Sequence, residues 1–119
     1  MTKPISRRLH GFIEHNYIAA VATAPQIAGF EEEKTAVLLC RVFSSGVLVT
    51  SLLTRAEWGM IRILPYKAHL AIDLLSSVAA LGVPWLFGFS HNNRACNTFL
   101  IMGVSGLVVG LLSKPEEMP

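Results

Sequence analysis

An all-α membrane protein of four transmembrane helices, arranged as two helical-hairpin repeats of the same orientation, is the fold class this sequence predicts. Three observations predict it. Hydrophobic residues make up 52% of the chain and charged residues only 15%, with a mean hydropathy of +0.50, well to the apolar side of an ordinary soluble domain. The charges are clustered, which leaves long apolar windows of about the length of a spanning helix, roughly 17–25 residues. Finally, the chain repeats itself at an offset of 59 residues.

At 119 residues the chain has the length of a single membrane domain. It divides into repeat one (10–54), a connector (55–67) and repeat two (68–113). The first span, His10 to Phe30, is diluted by Glu14, His15, Asn16 and Gln26 and is the weakest of the four by hydropathy. The second, Thr35 to Thr54, contains one charge, Arg41. A short turn, "EEEK", joins them. The third, Ala68 to Ser90, contains only Asp73, and after the turn "SHNNR" the fourth, Asn97 to Ser113, contains none. The connector, "RAEWGMIRILPYK", interleaves Trp58, Ile61, Ile63 and Tyr66 with Glu57, Arg62 and Lys67, a mixture suited to a membrane–water interface. Pro65 should stop any helix there.

The repeat is legible in "HGFIEHNYIAAVATAPQIAGF" and "HLAIDLLSSVAALGVPWLFGF". His10 falls on His69, Glu14 on Asp73, Pro25 on Pro84, Gly29 on Gly88 and Phe30 on Phe89. The same offset carries "VLVTSLLT", ending at Thr54, onto "GLVVGLLS", ending at Ser113. With two crossings per unit, both units enter the membrane from the same side, so the repeats are parallel. Lys3, Arg7, Arg8, Arg55, Arg62, Lys67 and Lys114 lie on the side of the termini, against Lys34 and Arg94 on the other, which predicts cytoplasmic termini.

These segments, with "EWGMIRILP" between them, resemble the SPW-repeat family of bacterial integral membrane proteins over His10 to about Ser113. That family is named for a Ser-Pro-Trp motif in the first of two transmembrane helices per repeat. Val83-Pro84-Trp85 lacks the serine, and Ala24-Pro25-Gln26 lacks the serine and the tryptophan. The resemblance implies an integral protein of the bacterial inner membrane and carries no activity with it.

The polar residues in apolar windows are the candidate functional groups. His10 with Glu14 and His69 with Asp73 are spaced i, i+4, so each pair shares a helix face near the cytoplasmic end. Were both faces to meet, two imidazoles and two carboxylates would converge, with Glu57 as a candidate fifth group. Three readings stay open: a structural clamp between repeats, a divalent-metal or haem site, and a proton or small-solute pathway. No cofactor is expected under the first, which is preferred because the groups lie only about one turn deep. His15 has no counterpart, since Leu74 takes its place, which disfavours a symmetric bis-histidine haem.

Pro25 and Pro84 are expected to kink their helices and free the carbonyls of Val21 and Ala80. Arg41 is expected to donate to that region of the first repeat or to reach toward Glu31, Glu32 and Glu33. Trp85 should anchor the outer interface. Gly103, Gly106 and Gly110 form a small-residue face that permits close helix packing. Cys40 and Cys96 read as buried thiols. No cleavable signal peptide is expected. No basic stripe points to nucleic acid, and no phosphate loop, nucleophile elbow or zinc-protease helix points to an enzyme. The expected surroundings are the lipid bilayer, with a second copy or another membrane protein as partner. A small non-enzymatic structural or accessory membrane component is the expected role.

Overall fold

Four helices form in the order α1 (Arg7–Ala28), α2 (Lys34–Leu52), α3 (Tyr66–Leu86) and α4 (Asn93–Leu112). The structure, a computed structural model, describes residues 3–118. Three of the helices, α2, α3 and α4, are long and apolar enough to cross a membrane. The 22-residue α1 is long enough, about 33 Å at 1.5 Å per residue, but its polar residues dilute it.

Local chemistry sets the helix limits. Ser6 begins α1 by accepting the Leu9 amide at 3.1 Å, and Asn92 begins α4 by accepting the Ala95 amide at 3.2 Å. At the other end of each first helix the chain turns left-handed at Gly29 (φ 78°) and Gly88 (φ 76°), where a side chain would be strained. Pro25 and Pro84 sit in the last turn of α1 and α3, fully buried. Their carbonyls accept the amides of Phe30 (3.0 Å) and Phe89 (2.9 Å), so proline and glycine close the helix together.

The bundle is two hairpins. Contact is most extensive within α3/α4 and within α1/α2, while the hairpins meet along α1 with α4 and α2 with α3. At the hairpin-turn end the core is apolar: Phe30, Ala36, Cys40, Phe89, Ala95 and Phe99 are buried. Phe89 and Phe99 meet edge to face at 5.3 Å. At the opposite end buried polar residues, His10, Glu14, Ser51, Thr54, His69 and Ser113, join a small apolar cluster of Ala56, Tyr66 and Leu70. Gly103 seats α4 against the Ser77 carbonyl and Leu81, Gly106 against the Ser77 hydroxyl, and Gly110 against Leu74. The small-residue face is therefore used inside the chain.

The connector is not helical between Leu53 and Pro65. It folds back on the end of α2, with Met60 N and Ile61 N donating to Leu52 O, and Ile63 N and Leu64 N to Leu53 O, at 2.8–3.1 Å. The carbonyls left over at that helix end are thereby satisfied. Leu64 and Thr54 form an isolated parallel bridge, and so do Ile5 and Ser113. In the first, Leu64 N donates to Leu53 O and Arg55 N to Leu64 O. In the second, Ile5 N donates to Leu112 O and Lys114 N to Ile5 O. Each residue of one pattern lies 59 positions from its equivalent in the other.

Candidate functional site

His10 and Glu14 project from the first two turns of α1, His69 and Asp73 from those of α3. The backbones of these helices are not closely apposed, and long side chains bridge them. His10 Nε2 lies 2.9 Å from Asp73 Oδ2 and 3.3 Å from Glu14 Oε2. His69 Nε2 lies 2.8 Å and 3.1 Å from the two Glu14 oxygens and 3.1 Å from Asp73 Oδ2. Each imidazole thus meets the acid of its own helix and the acid of the other. His10, Glu14 and His69 are buried, Asp73 nearly so. The two imidazoles stand edge to face, their centroids 5.6 Å apart.

The far side of each imidazole is also occupied. His10 Nδ1 lies 2.7 Å from Ser113 Oγ, and His69 Nδ1 lies 2.8 Å from Thr54 Oγ1. Both hydroxyl protons are already committed: Ser113 donates to Val109 O at 2.6 Å and Thr54 to Thr50 O. A hydroxyl has one proton, so each oxygen can only accept from the imidazole. Both Nδ1 atoms therefore carry hydrogen. Nε2 is left either to donate to the carboxylates or to present a lone pair. Two chemistries follow from one geometry, an ionic clasp with balanced charge or a set of four ligands.

Sequence reasoning placed the four central residues but missed Thr54 and Ser113 as their supports. Their signal was present: both are hydroxyl residues ending the repeated stretch 59 positions apart. It also missed Glu117. The carboxylate of Glu117 accepts the amides of Tyr66 and Lys67 at 2.8 and 2.9 Å, capping α3, whose own N-cap, Pro65, has no side-chain donor or acceptor to offer. These backbone hydrogen bonds, first that from Lys67, hold the Glu117 carboxyl below its ordinary range.

Two expectations fail. Glu57 does not join the cluster. Trp58 docks on Gly11 and donates its indole N–H to Arg8 O at 3.0 Å. That contact carries Glu57 over the Arg7 guanidinium, which it binds through both oxygens at 2.9 and 2.8 Å. The Arg7 hydrogen bond lowers the Glu57 pKa from its ordinary 4.5. Arg41 meets neither Val21 nor the acidic turn. It follows buried Cys40 by one residue, about 100° around the helix, so its side chain is exposed and makes no hydrogen bond or ion pair among the described residues. Glu33 lies instead 3.5 Å from His91. Trp85 is exposed near the end of α3, while His15 donates to Gly11 O at 2.8 Å and lies beside Trp58. Cys40 and Cys96 are free and buried.

A cleft of about 340 Å³ opens between the helices beside the cluster, its walls including His10, Glu14, Tyr17, Asp73, Ser77 and Ser105. Fold and site together define a four-helix protein with three helices fit to cross a membrane and a buried histidine–carboxylate cluster at one end. No known family model, curated protein or solved structure matches the chain.

Proposed function

We propose that the protein is a small structural or accessory component of the bacterial inner membrane, without catalytic activity. Its four spans form two parallel hairpin repeats, both termini are cytoplasmic, and His10, Glu14, His69 and Asp73 clasp the repeats at the cytoplasmic end. The observation that carries this reading is an inverted distribution of side chains. Large aliphatic groups face outward, among them Ile27 (78% exposed), Leu75 (71%) and Ile101 (68%), while histidines, carboxylates and small residues fill one end of the interior. Such a surface suits lipid.

The same logic extends to α1. Its ionisable His10 and Glu14 turn inward. Its exposed Asn16 and Thr23 bond their own helix carbonyls, Phe12 O and Ala19 O, at 2.8 Å, as lipid requires of polar groups. The duplicated bridges, the paired left-handed glycines and the exchange of partners around the two histidines support a repeat with a twofold axis along the membrane normal. Membership of the SPW-repeat family, inferred from the quoted motifs alone, would imply the same architecture. Lipid forms the surroundings, and a second copy or another membrane protein is the partner class.

Thiol labelling tests the topology. Cys40 and Cys96 are replaced by alanine, and single cysteines are placed at Lys3, Glu32, Asn93 and Glu116. In intact cells an impermeant maleimide should label positions 32 and 93 and spare 3 and 116. Labelling at only one terminus would mean an odd number of spans and end the four-span reading.

A further inference from the structure

We infer that the clasp is a binding site for one divalent cation of the zinc type, held by His10 Nε2, His69 Nε2, Glu14 Oε2 and Asp73 Oδ2. The inference deepens the clasp reading by naming its ligand, and it does not depend on the number of spans.

Four observations carry it. The ligand atoms converge: all lie within 4.8 Å of one another, and the four nitrogen–oxygen edges measure 2.9, 3.1, 3.1 and 3.3 Å. A four-coordinate ion with bonds of about 2.0–2.1 Å has tetrahedral edges near 3.4 Å. The four nitrogen–oxygen edges therefore lie within about 0.5 Å of those a bound ion needs. Second, the imidazoles are already oriented for an ion, and each ring would give up only its Nε2 proton to bind one. Ser113 and Thr54 hold the Nδ1–H of each ring, the arrangement by which outer groups orient metal-binding histidines and direct the Nε2 lone pair inward.

Third, the hydrogen bonding is incomplete without an ion. Glu14 is 93% buried, and its Oε1, although 2.8 Å from His69 Nε2, has no hydrogen-bond partner among the described residues. A buried acceptor left in this way is costly, and a cation bound through Oε2, or through both oxygens, would neutralise the carboxylate that carries it. Fourth, the cleft reaches three of the four ligands and gives the ion access. Two imidazoles with two carboxylates favour zinc over magnesium or calcium, which take oxygen ligands. Glu14 and Asp73 oxygens stand between the imidazoles, so the space suits an ion and leaves none for a macrocycle.

The test uses the full chain, purified in detergent and stripped with chelator, titrated with Zn²⁺ and with Mg²⁺ and assayed for bound metal. One Zn²⁺ per chain should bind, with no comparable uptake of Mg²⁺. The isosteric pair Glu14→Gln/Asp73→Asn should abolish stoichiometric zinc, with folding followed by circular dichroism. Thr54→Val, which keeps all four ligands, should weaken zinc 10–100-fold, and Thr54→Ser should restore it. Three results would overturn the inference: a folded wild-type chain that takes up no zinc, undiminished binding by the Gln/Asn pair, or equal uptake of Mg²⁺. The thiol-labelling result is independent of all three.

Discussion

Gly103→Ala and Gly46→Ala make the same chemical change in two helices, and the structure predicts opposite results. Either substitution should add about 0.8–1.0 kcal/mol of helix propensity. At Gly46 on α2 the new methyl meets nothing within 4 Å, so that gain is uncompensated. At Gly103 the methyl would lie 2.8 Å from the Ser77 backbone carbonyl and 2.5 Å from Leu81 Cδ2. Carbon contacts settle near 3.5–4.0 Å. Leu81 can rotate, but the carbonyl of α3 cannot, so α4 must withdraw by about 0.7 Å along the most closely packed helix pair. Overpacking of this kind costs about 1–3 kcal/mol. Net destabilisation of about 0–2 kcal/mol is expected for Gly103→Ala, and a separation of about 1–3 kcal/mol between the two variants. At about 4 °C per kcal/mol, thermal scans in one detergent at one scan rate should separate their midpoints by about 4–12 °C. Equal shifts would refute the reasoning, because they would mean that α3 and α4 do not touch at Gly103.

Removing one member of the clasp should cost more than removing a crossed pair. His10→Ala leaves Asp73 and Glu14 short of a buried partner, at about 3–5 kcal/mol, whereas His10→Ala/Asp73→Ala should lose less than the sum of the single changes. A double-mutant cycle by denaturant unfolding measures this, and strict additivity would deny the contact. Ser113→Ala should cost about 1–3 kcal/mol by leaving the His10 Nδ1–H buried without an acceptor, with Ser113→Thr close to wild type in the same assay. Glu117→Ala should expose the first amides of α3 and cost about 0.5–2 kcal/mol, seen as faster hydrogen exchange at Tyr66 and Lys67. The Arg7–Glu57 pair should depend on pH. Because the folded-state pKa of Glu57 is lowered, the stability it contributes is present above its ordinary 4.5 and lost as pH falls through the folded value. Trp58 fluorescence should report a connector that loosens as pH falls below 4.5 in wild type and little change with pH in Glu57→Gln.

How much of this was legible in advance follows from the range of each interaction. Helix number and the correspondence of Gly29 with Gly88 depend on spacing along the chain, and spacing is a property of sequence. The i, i+4 histidine–acid pairs were readable for that reason. Their convergence was conditional on how the hairpins dock. Which imidazole meets which acid depends on the rotation of α1 and α3 about their own axes, set by long-range packing that no local pattern encodes. The errors have the same cause. Glu57 looked adjacent to the cluster in sequence, but the docking of Trp58 on Gly11 carried it to Arg7. Arg41 was placed by depth alone, and depth ignores the 100° turn per residue that points it outward.

The sequence by itself determined that this chain forms apolar helices in two like halves and sets a histidine and an acid on one face of the first helix in each, because periodicity and composition are local and additive. Tertiary structure alone decided that the acids are shared crosswise. It also decided that Thr54 and Ser113 fix the imidazole tautomers and that Glu117, from the far end of the chain, caps α3. Those contacts join residues 50 to 103 positions apart, or pair a helix end with the helix docked beside it. A hydrogen bond is specified only once packing brings its two ends within about 3 Å of each other.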